Sequence, residues 1–518
     1  MARKVLFITA DQWRGDALGL LGHPAALTPN LDRLAREGTT FTQHYTVATP
    51  CGPARASLLT GLYPFLHRSI RNGSPLDRRH ANVAQEVRKA GFDPVLFGYT
   101  DSSADPAELA PADPRLKSYE GVLPGFRLEA SLNEAALTGW LSQLARKGYD
   151  IPERHMDIYR HPGTASVLDR FDRGPAAYTA EDSDTAYIAD KVIDYLRLRG
   201  KQDWFIHAVF LRPHPPMIAP APYHALVDTA VVPAPVKHSD RDAERAVHPF
   251  LDAWLRQQAT PAYFESQVDV QALPEADLAE MRAVYFGLIA EVDAQIGRLL
   301  DHLQTTGELD ETLVVFTSDH GEMLGDHWCW GKGGWFDASN HIPLIIRDPR
   351  APKSARGRRV EKFTESVDLM PTLLDWLGLP LPHEANGYSL LPWLHGETPK
   401  AWRDYVFWEF DFRTPHTQTT EAHFGLSSDQ CTLNVIRDRA CKYVHFTAQP
   451  PLLYDLAADP GELNNLAGRP EMAPVIARYA RKLLSHRMLH AERSLANAML
   501  TPTGAVRHNG GRGLLPPN

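Results

Sequence analysis

The chain has 518 residues, of which 43% are hydrophobic and 23% are charged, and 54 Lys and Arg against 63 Asp and Glu give a formal net charge of -9. This composition is typical of a soluble globular protein and excludes a largely disordered chain. The acidic excess argues against a broad surface for polyanions, so we predict that nucleic acid is not a partner.

The sequence also argues against a membrane protein and against disulfides. No stretch reaches the roughly 20 apolar residues that a membrane span needs. The apolar run 5–8 is too short for the core of a signal peptide. The 4 cysteines form no CxxC pair. We therefore predict a cytoplasmic protein with reduced cysteines and no membrane partner.

Apolar runs alternate with segments of helical spacing through the first two-thirds of the chain. The predicted strands are 4–9, 94–98, 204–211 and 312–317, and the predicted helices include 31–37, 54–60, 82–90 and 281–303. This alternation predicts the α/β class, with a large, mostly parallel sheet between layers of helices. Ligands of such sheets bind beyond the carboxyl ends of the strands.

The pattern changes after residue 382. The predicted strands 405–410, 433–436 and 442–446 have no long helices between them, and helical spacing over 472–499 precedes a Gly- and Pro-rich tail, 501–518. We predict a catalytic domain over 1–382 and a C-terminal subdomain over 383–518, the latter with a small antiparallel sheet, a helix and a tail.

Two predicted strands end in side chains that can bind a cation. Asp11 and Gln12 follow the first strand, and Asp319 and His320 follow strand 312–317. Three oxygens and an imidazole suit Mn²⁺, Ca²⁺ or Mg²⁺, and Zn²⁺ tolerates the set. Either aspartate alone is equally compatible with a cap on the next segment, but the two pairs together favour a metal site.

Cys51 lies between Pro50 and Pro53, just before a predicted helix. A cysteine in this position gains nearby backbone N–H groups and a favourable helix end. Its residue type and position leave two alternatives open, a reactive thiolate and a buried structural cysteine.

Six motifs in the same order resemble the sulfatase family of the alkaline phosphatase superfamily. CGPAR (51–55) matches its C-x-P-x-R core, and the others are ADQ (10–12), TPNLD (28–32), SDHGE (318–322), SVDLMPTLL (366–374) and LYDLAADPGELNNL (453–466). The resemblance implies an alkaline phosphatase-like fold. It also implies that a maturation enzyme oxidises Cys51 to formylglycine.

Segment 321–334, GEMLGDHWCWGKGG, resembles bacterial phosphonate monoester hydrolases and the arylsulfatases grouped with them. Segments 71–73 and 210–216 agree with this resemblance. The chain departs from many sulfatases at 98–101, where GYTD replaces a G-K-x-H motif. It therefore lacks one lysine and one histidine of the usual anion pocket.

The resemblance also implies the residues of the site. The metal ligands are Asp11, Gln12, Asp319, His320 and an oxygen of modified Cys51. The catalytic residues are Cys51, Arg55, His214 and Lys332, and the substrate-binding residues are Asn72, Tyr99, Thr100 and Asp101. Lys332 and Asn72 would contact non-bridging oxygens, and His214 would assist the leaving oxygen. Asp101 is a candidate acceptor for the nucleophile's proton.

The implied cofactors are formylglycine and one divalent metal ion, with Mn²⁺ or Ca²⁺ before Zn²⁺ or Mg²⁺. The hydrated aldehyde is a geminal diol, and the predicted function is its attack on a small anionic ester: a phosphonate monoester, a phosphodiester or an aryl sulfate. One alternative is a dedicated arylsulfatase or a choline or carbohydrate sulfatase. An alternative from another class is an inactive anion-binding relative. The helix 472–499 and the tail predict a homo-oligomer, a dimer or a tetramer.

Overall fold

The computed structural model describes residues 3–133, 137–166, 173–199, 202–258 and 270–507. Their strands are β1 (Lys4–Ala10), β2 (Thr39–Phe41), β3 (His44–Tyr45), β4 (Pro94–Gly98), β5 (Arg127–Ser131), β6 (Trp204–Phe210), β7 (Thr312–Ser318), β8 (Leu344–Arg347), β9 (Arg358–Val360), β10 (Thr364–Glu365), β11 (Val406–Asp411), β12 (Thr432–Arg437), β13 (Cys441–Phe446), β14 (Leu452–Asp455), β15 (Ala498–Thr501) and β16 (Gly504–Arg507).

The helices of the same residues are α1 (Pro29–Glu37), α2 (Cys51–Thr60), α3 (Pro64–His67), α4 (Val83–Lys89), α5 (Thr138–Arg146), α6 (Asp184–Arg199), α7 (Tyr223–Leu226), α8 (Arg241–Arg245), α9 (Pro249–Gln258), α10 (Glu275–Thr305), α11 (Asp337–Asn340), α12 (Leu369–Trp376), α13 (Leu391–Leu394), α14 (Thr419–Phe424) and α15 (Ala473–Leu489). None of these helices is both long and apolar enough to span a bilayer.

The large sheet has the strand order β5-β4-β6-β1-β7-β8-β2-β9. The strands from β5 to β7 are parallel, whereas β8 runs antiparallel to both β7 and β2. Every residue of β1, β6 and β7 is buried. Strands that are covered on both faces read as continuous apolar runs, which is why the sequence predicts them well. The predicted large, mostly parallel sheet is confirmed.

The helices that pack with this sheet form two groups. One group contains α1, α6, α7 and the long helix α10, and the other contains α2, α4 and α12. The helix α2 belongs to the second group and is buried along its whole length. Its first residue, Cys51, is therefore held in position by packing along the entire helix.

The smaller C-terminal sheet has the order β11-β12-β13-β14, and all of its pairs are antiparallel. The helix α15 packs against β12 and β13. The predicted antiparallel C-terminal sheet is confirmed, and the domain boundary at residue 382 stays a prediction.

The C-terminal helix is shorter than the sequence predicts. It ends at Leu489, and a two-stranded hairpin of β15 and β16 follows it. Between the helix and the hairpin, the Ser494 backbone N–H donates to the Glu492 carboxylate (2.9 Å) and the Arg493 Nη2 donates to the Ala385 carbonyl (2.8 Å). The part of the predicted tail at 508–518 lies outside the described residues.

Candidate active site

Two neighbouring strands bring the acidic side chains together. In the parallel register of β1 and β7, Ala10 lies beside Ser318, so Asp11 and Asp319 leave the same edge of the sheet side by side. The Ser318 hydroxyl donates to the Ala10 carbonyl (2.7 Å) and accepts the Trp13 N–H (2.9 Å). These bonds fix the two strand ends to each other at the carboxyl edge, where the fold class places ligands.

Cys51 is the first residue of α2 and is 4% exposed. The helix begins at Cys51 and not at the predicted residue 54, so Cys51 itself lies at the helix N-terminus. Its Sγ is 3.1 Å from Nε2 of His320 and 4.0 Å from Oδ1 of Asp11. Burial and then the charge of Asp11 raise the pKa of the thiol well above its ordinary value. Unmodified Cys51 is therefore a poor nucleophile, unlike a low-pKa catalytic thiolate.

Four buried residues converge as possible metal ligands. One ligand atom each from Asp11, Cys51, Asp319 and His320 lies within 4.8 Å of all the others. Burial lowers the pKa of His320 to about 4, so its ring is neutral. Its Nδ1 donates to the Gly321 carbonyl (3.0 Å), which leaves the lone pair on Nε2, the nitrogen that faces Cys51. Two carboxylates and one neutral imidazole beside residue 51 fit a divalent cation.

Arg55 pairs with both carboxylates. Its Nε donates to Oδ2 of Asp319 (2.9 Å) and its Nη2 to Oδ2 of Asp11 (2.8 Å). Its Nη1 donates to the Tyr99 carbonyl (3.0 Å), and the guanidinium is 2% exposed. Arg55 thus orients the two aspartates. Because Arg55 is buried, its charge acts inside the site and not in an ion pair on the surface of α2.

Gln12 and Lys332 form the polar side of the site. Lys332 Nζ donates to Oε1 of Gln12 (2.5 Å), and Nε2 of Gln12 donates to Glu322. The predicted coordination of a metal by Gln12 would require its oxygen to be shared with Lys332, and it stays a prediction. Sequence reasoning assigned no role to Glu322, although it lies in the SDHGE motif. Its carboxylate is fully buried and accepts the Leu324 and Gly331 N–H groups.

Lys332 keeps its positive charge beside Cys51. Burial disfavours the ammonium, but the charges of Cys51, Asp11 and Asp319 outweigh burial and raise the pKa of Lys332 above its ordinary value. A cationic side chain next to the nucleophile position is what an anionic substrate requires.

Comparison with known proteins decides the family. A sequence profile of the sulfatase family matches residues 3–379, and a profile for the C-terminal part of N-sulphoglucosamine sulphohydrolase matches residues 325–488. The chain belongs to the sulfatase family. This confirms the family and the ester hydrolase that the sequence predicts.

Relatives of this sulfatase cover almost its full length. PehA of Trinickia caryophylli, a multifunctional alkaline phosphatase superfamily protein, is 42% identical over 98% of this chain and 100% of PehA. The phosphonate monoester hydrolase of Agrobacterium radiobacter is 46% identical, with a TM-score of 0.93 over 98% of this chain and 100% of that one. The phosphonate monoester hydrolase SpPMH from Silicibacter pomeroyi is 42% identical, with a TM-score of 0.91 over 98% and 99% of the two chains.

The departure of this sulfatase at 98–101 has structural consequences. The Tyr99 hydroxyl donates to Oδ2 of Asp11, and its ring centroid is 4.0 Å from the Arg55 guanidinium. Thr100 is fully buried, and its hydroxyl donates to the Gly121 carbonyl (3.1 Å) and accepts the Leu123 N–H (2.8 Å). The hydroxyl of Thr100 thus supports the neighbouring loop, and the predicted substrate contact of Thr100 stays a prediction.

Asp101 is also buried in this sulfatase, with Oδ2 at 3.9 Å from Nε of Arg55. Burial, together with the charges of Asp11 and Asp319, raises the pKa of Asp101 to about 7 against the opposing effect of Arg55. Asp101 lies in the cluster of charges around Arg55, and its predicted role as a proton acceptor stays a prediction.

His214 approaches the sulfatase site from the segment after β6. Burial opposes ionisation of Asp11, but the positive charges of His214 and then Arg55 lower the pKa of Asp11 well below its ordinary value. The Nδ1 of His214 donates to the Pro215 carbonyl (2.9 Å), so proton transfer falls to Nε2. His214 therefore belongs to the electrostatic surroundings of Asp11, and its predicted help to the leaving oxygen stays a prediction.

A cavity of about 610 Å³ borders the site and is lined by Pro50, Asn72 and Lys332 among others. Asn72 Oδ1 accepts the Gly52 N–H (2.9 Å), which joins the cavity to the start of α2. The structure thus brings the predicted site residues together around Cys51 and this cavity, and their individual roles stay predictions.

Proposed function

We propose that the protein is a formylglycine-dependent hydrolase of phosphonate monoesters, phosphodiesters and aryl sulfates. One observation carries the proposal: buried ligand atoms of Asp11, Asp319 and His320 converge on Cys51 at the N-terminus of α2. The full-length similarity to two phosphonate monoester hydrolases supports the same chemistry. All three ester classes present a singly charged tetrahedral centre, which one lysine and one cation can accommodate.

The residues at this centre would hold one divalent cation. Asp11, Asp319, His320 and the oxygen of modified residue 51 are the ligands that fit, with Gln12 as a further candidate. Oxygen-rich ligation with one imidazole favours Mn²⁺ or Ca²⁺ over thiolate-preferring metals. When bound, the cation supplies positive charge that stabilises an ionised hydroxyl and the anionic substrate.

Residue 51 and its neighbours would carry out product release, substrate binding and protonation of the leaving oxygen. Formylglycine supplies a hydrated carbonyl whose second hydroxyl allows release by cleavage of a C–O bond, whichever anion was captured. Lys332 and Asn72 bind non-bridging oxygens of the ester in the adjoining cavity. His214 donates a proton from Nε2 to the leaving oxygen, which is typically worth about 10²- to 10⁴-fold in rate.

The test combines mass spectrometry of the peptide 46–68 with kinetics. We expect the aldehyde mass at residue 51, and turnover of a phenyl phosphonate monoester, a phosphodiester and an aryl sulfate that disappears in Cys51→Ala. A Cys431→Ala variant removes another buried cysteine and serves as the matched control. A plain thiol at residue 51 in fully active protein would refute the proposal.

We also propose the circumstances in which the enzyme works: a cytoplasmic homo-oligomer, dimer or tetramer, that a formylglycine-generating maturation enzyme modifies at Cys51. Two features support this. The four cysteines are free, and the hairpin of β15 and β16 exposes Met499 and Leu500, at 70% and 87%. Solution mass and fractionation of the native host test the assembly and the location.

A further inference from the structure

The cavity beside Lys332 has an aromatic wall. Its rings come from two distant parts of the chain, Phe250 and Trp254 of α9 on one side and Phe410, Phe412 and Phe424 of the C-terminal region on the other. The aromatic side chains of β11 and the residue after it differ in their surroundings. Phe407 and Trp408 are fully buried, whereas Phe410 and Phe412 line the cavity.

The rings form one continuous surface. Phe250 is the central ring, with centroid distances of 5.9 Å to Trp254, 6.0 Å to Phe410 and 5.0 Å to Phe412. Phe412 continues the contact to Phe424 at 6.1 Å. These are ordinary distances for tilted and edge-to-face aromatic pairs. A flat organic group that enters the cavity would therefore meet several rings at once.

The wall begins directly beside the reacting centre. Gly333 and Gly334 follow Lys332, and both have positive φ angles of 146° and 66°. A Cβ at Gly333 would lie 3.2 Å from Cζ of Phe410, and one at Gly334 would lie 3.4 Å from Cζ3 of Trp254. The absence of side chains at these two glycines lets the rings approach within one residue of Lys332. Pro50, the neighbour of Cys51, lines the same cavity.

The charged side chains of the cavity decide which kind of ligand group can bind to its aromatic wall. Its charged side chains include Arg71, Arg256, Lys332 and Asp411. Both oxygens of Asp411 accept from Nε of Arg413, at 2.8 and 3.0 Å, so that carboxylate is already compensated. An aromatic cage can bind a quaternary ammonium, but the basic side chains would repel it here. A neutral ring stacked on the wall meets no such repulsion.

We infer that this cavity binds the organic group of the ester and selects an aryl group over a methyl or a choline group. The inference rests on the proposed function and deepens it, because it assigns a substrate class to the space that adjoins Cys51 and Lys332. Trp254, Phe250 and Phe412 would determine the specificity by contact with the organic group. They take no part in the bond cleavage.

The experiment compares the phenyl, methyl and choline monoesters of methylphosphonate in the wild-type enzyme and in Trp254→Leu. We expect kcat/KM of the phenyl ester to fall about 10- to 100-fold, because the stacked contact and its buried area are lost, and that of the methyl ester less than about threefold. Comparing each ester with itself in the two proteins cancels its intrinsic reactivity. The matched control is Trp402→Leu, which removes a half-buried indole that packs on Trp393 and Tyr388 outside this cavity.

Two further measurements keep the inference falsifiable. Trp254→Phe keeps an aromatic ring and should retain most of the preference for the phenyl ester. This variant also keeps the inference testable if Trp254→Leu does not fold. Equal losses for phenyl and methyl esters, or a larger loss for the choline ester, would overturn the inference. If the wild-type enzyme hydrolyses none of the esters, the proposed function fails, while calorimetry with the intact esters still tests the cavity: phenyl methylphosphonate should bind at least about tenfold more tightly than methyl methylphosphonate.

Discussion

Arg55 connects the two halves of the metal-binding site. One guanidinium donates to the carboxylates of Asp11 and Asp319 from separate nitrogens, and all three side chains are buried. Two buried carboxylates without a counter-charge would repel each other in a region of low dielectric. Arg55 therefore stabilises the site before any cation arrives, and it leaves other carboxylate oxygens for a metal.

We expect Arg55→Met to lower the free energy of unfolding by about 3 to 5 kcal/mol in chelator, because it leaves two buried carboxylates unpaired. Saturating Mn²⁺ should reduce the difference from the wild type, since the cation replaces part of the lost positive charge. Denaturant unfolding with and without Mn²⁺ measures both effects.

The control for this prediction is Arg403→Met. Arg403 is buried and donates to Asp368 (2.8 Å) in a separate cluster. The Arg403→Met variant should lose the same free energy of unfolding with and without Mn²⁺. A Mn²⁺-independent loss in Arg55→Met would show that Arg55 has no special relation to the metal site.

A second prediction concerns the pH dependence of stability and the buried His67, which packs beside α2. The buried His67 accepts the Ser69 N–H at Nδ1 (3.1 Å), so its proton lies on Nε2, which donates to the Ser57 hydroxyl (2.9 Å). A second proton would have to face the Ser69 N–H. Burial, followed by the charges of His80 and Arg68, lowers the pKa of His67 from 6.5 to about 3. The folded state thus keeps this ring neutral.

The direction of the pH effect follows from proton binding. Between pH 6.5 and pH 3 the unfolded state binds the proton and the folded state does not, so stability falls as the pH falls. His67 should account for about 2 kcal/mol of stability lost between pH 8 and pH 5. In His67→Gln this loss should be smaller by that amount, as measured by urea unfolding at both values. An unchanged difference between the two pH values would contradict the assignment.

At the scale of secondary structure, the segment after β6 is organised by Arg212. This guanidinium is fully buried, and its Nη1 donates to the carbonyls of His214 (2.8 Å) and Pro216 (2.9 Å). Its Nε donates to Asp184 (3.1 Å), and its Cζ lies 4.2 Å from the ring centroid of Tyr159. Arg212 is thus a positioning residue for His214. A lysine cannot reproduce this planar fork of donors.

We expect Arg212→Lys to lower kcat mainly for esters with poor leaving groups. Under the proposed role of His214, such esters need its proton, so a methyl ester should lose about tenfold or more and a 4-nitrophenyl ester less than about threefold. Arg347→Lys is the matched control, since Arg347 is also buried and bonds Glu37 and Asp310. Equal losses for both esters would indicate a purely structural role of Arg212.

Secondary structure was predictable where local sequence decides it. Strand 94–98 coincides with β4, because an apolar run lies between Pro94 and Gly98. The helix at Cys51 was placed three residues late, since Gly52 and Pro53 disguise its first turn. Strand β5 was missed because its first three residues are exposed at the edge of the sheet. The segment after the early end of α15 is held by the contact of Arg493 with Ala385, about a hundred residues away in the chain, which local sequence does not reveal.

The site shows the same division. Its candidate ligands follow the ends of two buried strands, and this shared position after a predicted strand is what grouped Asp11 with Asp319 in the sequence. The cavity wall was not predictable, because Trp254 and Phe410 meet only through tertiary packing around Gly333. The hydroxyl bonds of Thr100 to the loop at 121–123 were likewise invisible in the sequence.

At the scale of the whole molecule, the active site is shared between the two sheets. The carboxyl edge of the large sheet supplies the candidate metal ligands, and the C-terminal region supplies Phe410 and Phe412 to the cavity. The N-terminal region with the large sheet therefore carries the candidate reacting groups. The C-terminal region contributes to the proposed selection of the substrate. A variant of the small sheet can change substrate selection without touching a ligand.

The C-terminal hairpin is the feature that most resembles an arm for a second copy of the chain. An isolated two-stranded hairpin is marginally stable in water, yet Leu495 and Leu500 are 70% and 87% exposed here. We expect Leu495→Ser with Leu500→Ser to shift the assembly towards monomers, because burial of each leucine at an interface is worth about 1.5 to 3 kcal/mol. Leu198→Ser changes an equally exposed leucine, at 88%, on α6 and should leave the mass unchanged. Light scattering over a range of concentrations measures the mass. A monomeric wild type, or an unaltered assembly in the double variant, would contradict a role of the hairpin in contacts between copies of the chain.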